Sequence, residues 1–125
     1  MNPIIPAIVI VILLGSYFVL KNYKNRKRDQ SLKGKNISEF QILDVRTPKE
    51  FKQGHIKNVI NFPLGIINSD SLKKLNKELN YITYCAHGIR SVKASKILKE
   101  NGFKVTNGVS IKDLQKLIAY SENRN

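Results

Sequence analysis

The chain has 125 residues, about one domain's worth of sequence, with 22 Lys plus Arg against 9 Asp plus Glu and a net charge of +13. A single Cys excludes an internal disulfide, and one Cys with two His falls short of the four ligands of a structural zinc site. Apolar residues make up 42% of the chain, too many for a disordered one, and they are concentrated at its start.

Pro3 to Leu20 is a run of eighteen residues without a charge. As a helix it would span about 27 Å, close to the thickness of a bilayer's hydrocarbon core. Pro3 and Pro6 fall in its first turns, where a missing N–H costs least. Five bases follow within the eight residues Lys21 to Arg28. A secretory signal has the opposite order, with bases before the apolar run and a small-residue cleavage site after it. The expected organisation is a transmembrane helix over 1–20, a basic juxtamembrane linker over 21–33 and a working domain over 34–125. The bases place that domain on the cytoplasmic side of the cell membrane, with a single pass. From Lys35 onward there are 16 bases and 8 acids. The lysines fall on polar helix faces without interleaved aromatics, so no nucleic-acid partner is expected.

Within the working domain, short apolar runs alternate with helical patterns. Gln41 to Val45 reads as a buried strand. Thr47-Pro48-Lys49-Glu50 is a capping box with Pro at the first helical position, and Gly54 stops that helix. Val59 to Asn61 suits a second short strand. Leu72, Leu75 and Leu79 predict a helix over 71–79, and Tyr81 to Tyr84 a strand. Ser91 to Asn101 is helical, with Val92, Ala94, Ser95, Ile97 and Leu98 inward and Gly102 as its C-terminal stop. Phe103 to Thr106 is a strand and Asn107-Gly108 a turn. Ser110 to Asp113 is a second capping box, opening a helix with Ile111, Leu114, Leu117 and Ile118 on one face. Such alternation implies an α/β fold, a parallel sheet with helices on its faces and ligands beyond the strands' carboxyl ends.

Tyr84 to Ser91 joins a predicted strand directly to a predicted helix, and it contains the only Cys. Cys85 thus stands at a strand's carboxyl end, facing a helix N-terminus. The helix dipole and free N–H groups there favour the thiolate. Gly88 lets the backbone curl so that successive N–H groups converge on one sulfur, and Arg90 adds a fixed positive charge. This is an anion cradle with a nucleophile in its floor. The bland reading of the same Cys is a buried structural residue.

Cys85-Ala86-His87-Gly88-Ile89-Arg90-Ser91 resembles the active-site loop of single-domain rhodaneses, Cys-x-x-Gly-x-Arg-Ser. Upstream, Asp44-Val45-Arg46, Glu50-Phe51 and Gly54-His55-Ile56 resemble the family's Asp-Val-Arg-x-x-x-Glu-Phe-x-x-Gly-His-Ile, and Asn61-Phe62-Pro63 its Asn-x-Pro. Asn58-Val59 replaces the usual Gly-Ala, and Asn107-Gly108 resembles the closing Gly-Gly with one Gly replaced. The resemblance covers residues 36–120. It implies a five-stranded parallel sheet, whose first strand fits at Asn36 to Ser38. It also implies sulfur transfer from a small anionic donor such as thiosulfate to a thiol or cyanide through a persulfide on Cys85, without metal or organic cofactor.

The chemistry then assigns roles. Cys85 is the nucleophile, and the N–H groups of Ala86, His87, Gly88, Ile89, Arg90 and Ser91 hold the persulfide anion. Arg90 attracts the donor. His87 points either into the mouth or to solvent. Asp44 braces the loop or Arg90, while Arg46 and Glu50, four apart, are expected to pair. His55 reads as a catalytic base or as a satisfied structural residue, and family placement favours the second. Two other readings stand beside this one. A phosphatase of related fold would need five residues between Cys and Arg, and here there are four. A non-catalytic docking module would use the tether and the basic surface alone.

Overall fold

The computed structural model describes residues 2–32 and 34–124; the side chains of residues 24–31, 107 and 108 lie outside that description. Contacts divide the chain into two compact units, Met1–Gln30 and Ser31–Asn125.

The first unit is one helix, α1 (Ile4–Leu32), which continues to the start of the second. Its Ile4–Tyr23 stretch has a mean hydropathy of 2.4 and is long and apolar enough to cross a membrane, with none of that stretch buried. The Ser16 hydroxyl donates to the Leu13 carbonyl at 2.9 Å, so even this polar group is satisfied inside the helix. The run expected as a linker is helical in its backbone as far as Leu32. Lys, Arg and Gln are good helix formers, and nothing between 21 and 32 breaks the ladder. The side chains of Lys24, Arg26, Lys27 and Arg28 in the basic cluster, like all of Lys33, lie outside the described residues.

The second unit is built on four parallel strands: β1 (Phe40–Asp44), β2 (Ile60–Asn61), β3 (Asn80–Cys85) and β4 (Lys104–Ser110), in the order β2-β1-β3-β4. From β1 the chain moves to one side, to β2, and then crosses to the other side, to β3 and β4. The order reverses between β1 and β3, and in open α/β sheets ligands bind at such a switch point. Asp44 pairs with Tyr84 there, one residue before Cys85. α3 (Ser69–Leu72) and α4 (Ile89–Glu100) line one face, around Leu43, Tyr81, Ala94, Leu98 and Phe103. α5 (Ile111–Glu122) and Leu32 cover the other, around Ile42, Ile82, Tyr84, Val109 and Leu114. α2 (Pro48–Gln53) joins β1 to β2.

Four expectations need correction. Asn36–Ser38, expected as a strand, leads instead into a 3-10 turn at Ile37–Glu39, because the Asn36 side chain accepts from the Ser38 N–H at 3.2 Å and bends the backbone. Among the described residues the sheet therefore has four hydrogen-bonded strands. The helix expected over 71–79 is only the four residues of α3. Tyr81 takes over the backbone of Asn76: its hydroxyl accepts from the N–H and donates to the carbonyl, both at 2.9 Å, which removes those groups from a helical ladder. Asn107-Gly108 lies within β4. Ile82 pairs with Thr106 but Tyr84 with Val109, so β4 takes an extra residue as a bulge. Val92, expected inward, is 44% exposed, and Ser91 is buried beside the expected Ala94 and Ser95. Thr83 anchors them, its hydroxyl donating to the Ser91 carbonyl at 2.9 Å and lying 2.7 Å from the Ser95 hydroxyl.

Candidate active site

Cys85 ends β3, and only Ala86, His87 and Gly88 separate it from α4. Gly88 caps that helix at φ +91°, a backbone conformation that costs an L side chain about 1 kcal/mol or more. It brings no capping side chain. The free N–H groups of the first turn meet the sulfur instead: Gly88 donates to Cys85 Sγ at 3.0 Å and Ser91 at 3.4 Å. The Ser91 hydroxyl lies 3.0 Å from the Gly88 carbonyl and 3.3 Å from that of Val109, which fixes the loop against β4. Cys85 is 1% exposed. Burial pushes its thiol pKa up, but the Ser91 N–H and hydroxyl and the Gly88 and His87 N–H groups outweigh this and hold it below the ordinary value. Ala86 is half-buried, His87 is exposed and Ile89 is 81% exposed.

Beside this loop, Asp44 is fully buried at the end of β1. It accepts from the Arg46 N–H at 3.0 Å, from Arg46 Nε at 3.0 Å and Nη2 at 2.7 Å, and from the Tyr84 hydroxyl at 2.6 Å. Arg46 Nη2 also donates to the Gly54 carbonyl at 2.7 Å, tying β1 to the end of α2. Asn61 Nδ2 donates to the Asp44 and Arg46 carbonyls at 3.1 and 3.0 Å. Burial, then the bond to Asp44, push the Tyr84 phenol pKa well above its usual value. Asp44 thus braces Arg46 and, through Tyr84, the start of the loop; of the two expected partners, the loop and Arg90, its hydrogen bonds reach the loop.

Arg46 and Glu50 do not pair. Arg46 precedes the Thr47 cap of α2, so it is not on the helix, and its guanidinium turns to Asp44. Glu50 instead meets Arg90 end-on, with Nη1–Oε1 at 2.6 Å and Nη2–Oε2 at 2.9 Å. The Thr47 hydroxyl donates to Glu50 Oε1 at 3.1 Å and accepts from the Glu50 N–H at 3.3 Å. Arg90 holds the Glu50 carboxyl at a pKa of about 2. In turn Glu50 first, and Cys85 as well, raise the pKa of Arg90. His55 stacks on Phe51 with ring centroids 3.7 Å apart, and its Nδ1 lies 2.9 Å from the Phe51 carbonyl, a structural role.

Sequence reasoning missed the roles of Tyr84, Asn61 and Glu50. Tyr84 read as a β-prone residue, Glu50 as half of a capping box and a partner for Arg46, and Asn61 as part of a motif without a task. The one available signal was alternation: Tyr84 lies on the opposite face from Cys85, the face of Ile42 and Ile82. Among the described residues no group of three or more His, Cys, Asp or Glu is placed to hold a metal ion.

Known proteins are similar to this chain. A tRNA sulfurtransferase from Thermoplasma acidophilum is 30% identical over 99 residues, covering 79% of this chain and 20% of that protein. The putative sulfurtransferase YtwF of Bacillus subtilis is 33% identical over 69 residues, covering 55% of this chain and 66% of its own length. This chain therefore spans a fifth of one relative and just under two thirds of the other. The crystal structure of a rhodanese-like domain protein from Staphylococcus aureus superposes with a TM-score of 0.53 at 34% identity, over 69% of this chain and 80% of that one. Residues 23–113 match the family model of the rhodanese-like domain, from the end of the apolar helix to the start of α5, and to that family the chain belongs.

Proposed function

We propose that the chain is a membrane-anchored sulfurtransferase that carries sulfane sulfur as a persulfide on Cys85. The observation behind this reading is the convergence of the Gly88 and Ser91 N–H groups on Cys85 Sγ at 3.0 and 3.4 Å. The Cys85 thiolate attacks the sulfane sulfur of a donor such as thiosulfate. The donor's S–S bond breaks, its electron pair leaves with sulfite, and the new S–S bond leaves a persulfide anion on Cys85. That anion sits at a helix N-terminus, where the dipole and charge-assisted N–H bonds stabilise it. Residues Ala86 to Ser91 form the cradle, and Asp44 and Arg46 hold the end of β1 beside it. With one Cys in the chain, the persulfide cannot resolve as an internal disulfide. An external thiol, or cyanide in an assay, takes the terminal sulfur and returns the thiolate. No metal or organic cofactor takes part, and no nucleic acid is a partner.

The Ile4–Tyr23 stretch anchors the domain, and the bases from Lys21 to Arg28 keep residues 34–125 on the cytoplasmic face of the cell membrane. Protease added to intact cells should then spare the domain; cleavage would reverse the topology. The function is tested by thiocyanate formation from thiosulfate and cyanide. Wild-type chain should turn over, and Cys85→Ser should not while keeping its circular dichroism. Turnover by the Ser variant would overturn the reading.

A further inference from the structure

The one fixed cation of the active-site loop is already paired with a carboxylate. Both terminal nitrogens of Arg90 are taken by the two carboxylate oxygens of Glu50, at 2.6 and 2.9 Å. The carboxylate is itself held in place. Thr47 bonds to Glu50 Oε1, and the same Thr caps α2, so Glu50 enters the pair from a fixed backbone. The pair is only partly buried, with Arg90 and Glu50 side chains 36% and 32% exposed, so it is within reach of solvent anions. A planar end-on pair satisfies the guanidinium's geometry as well as its charge. Glu50 thus offsets part of the charge that Arg90 presents to an anion, and the backbone N–H groups around Cys85, which suit one small charge, supply a larger share of the attraction.

We infer that Glu50 is a specificity-determining residue that clamps Arg90 and turns the site against doubly charged donors such as thiosulfate, in favour of low-molecular-weight hydropersulfides. This deepens the sulfurtransferase reading and rests on it. For a hydropersulfide, Cys85 thiolate attacks the terminal sulfur. The S–S bond of the donor breaks and the pair leaves on its thiolate, which takes the proton. The persulfide on Cys85 is the same, and the transfer needs no second negative charge near Arg90.

The test uses the full-length chain in detergent and two donors, thiosulfate and cysteine hydropersulfide, each read by persulfide formation on Cys85. Glu50→Gln keeps the shape and removes the competing charge. The expected result is a fall in KM for thiosulfate of about twofold to fivefold, the scale of one partly exposed ion pair. Thiosulfate use should rise relative to hydropersulfide use by the same factor, and the KM for thiosulfate should become more sensitive to salt. Glu50→Asp, one methylene shorter, should give a smaller change in the same direction and serves if the Gln variant does not fold. A ratio of donors that stays constant in both variants, or a thiosulfate KM that rises, overturns the inference. Wild-type chain that accepts sulfur from neither donor overturns the sulfurtransferase reading itself, so the two failures are distinct.

Discussion

Asp44→Asn isolates the buried charge network beside the site. The substitution keeps the side chain's size but removes the negative charge that meets Arg46 at 2.7 Å and Tyr84 at 2.6 Å. Asp44 is fully buried and the Arg46 side chain only 10% exposed, so the guanidinium would stay in the interior without its counter-charge. Breaking a buried pair from one side costs about 3–5 kcal/mol. Against a total of about 5–15 kcal/mol for a small domain, that is a large share. In urea, at about 1–3 kcal/mol per molar, the midpoint should fall by roughly 2 M. The chain has no Trp, and Tyr81 and Tyr84 are buried, so near-ultraviolet circular dichroism of tyrosine follows the transition. Asp70→Asn is the control: Asp70 pairs with Lys73 at 3.3 Å, but both side chains are highly exposed, and the midpoint should hardly move. Replacing both partners, Asp44→Asn with Arg46→Met, should recover part of the loss because no lone charge remains. A loss below about 1 kcal/mol in the single variant would refute the claim that this pair supports the end of β1.

Acid should weaken the domain through Glu50. Its pKa in the folded chain, about 2, lies below the ordinary 4.5, so the Arg90 pair contributes stability that is complete above pH 4.5 and lost as pH falls towards 2. Acid titration of Glu50→Gln should lack that loss; identical curves would contradict it. The lowered thiol pKa of Cys85 predicts alkylation by iodoacetamide with a midpoint below the ordinary value of 9.0, and Ser91→Ala should move the midpoint up because it deletes one of the groups that lower it. Gly88→Ala should cost about 1 kcal/mol or more in stability, from the strain of φ +91°, and should slow persulfide formation by displacing an N–H from the sulfur; an unchanged rate would count against the cradle.

The strand–helix alternation and the placement of Cys85 were legible in the sequence because both are local. Thr47, Gly88, Gly102 and Ser110 mark helix ends through their own backbone and side-chain preferences, and the structure uses each of them at or beside such an end. Pairings that span the chain were not legible. Arg46 had two carboxylates close in sequence, Asp44 and Glu50, and spacing alone favoured the helical i,i+4 partner. The choice was made by Thr47, which starts α2 only after Arg46 and leaves Arg46 at the end of β1. Glu50 and Arg90 are forty residues apart and meet only because β1 and β3 are neighbours. The short α3 was hidden for the same reason, since a tyrosine hydroxyl from β3 takes the backbone of Asn76. Asn36 shows the converse: its side chain alone was enough to prevent a strand.

The central claim is that Cys85 carries transferable sulfur, and mass spectrometry of the intact chain tests it most directly. After exposure to a sulfane-sulfur donor, thiosulfate or cysteine hydropersulfide, wild-type chain should gain one sulfur atom, mapped by peptide analysis to Cys85 and removed by a reducing thiol. Cys85→Ser should gain none. Wild-type chain that gains no sulfur from either donor, and that hydrolyses an aryl phosphate instead, would contradict the account.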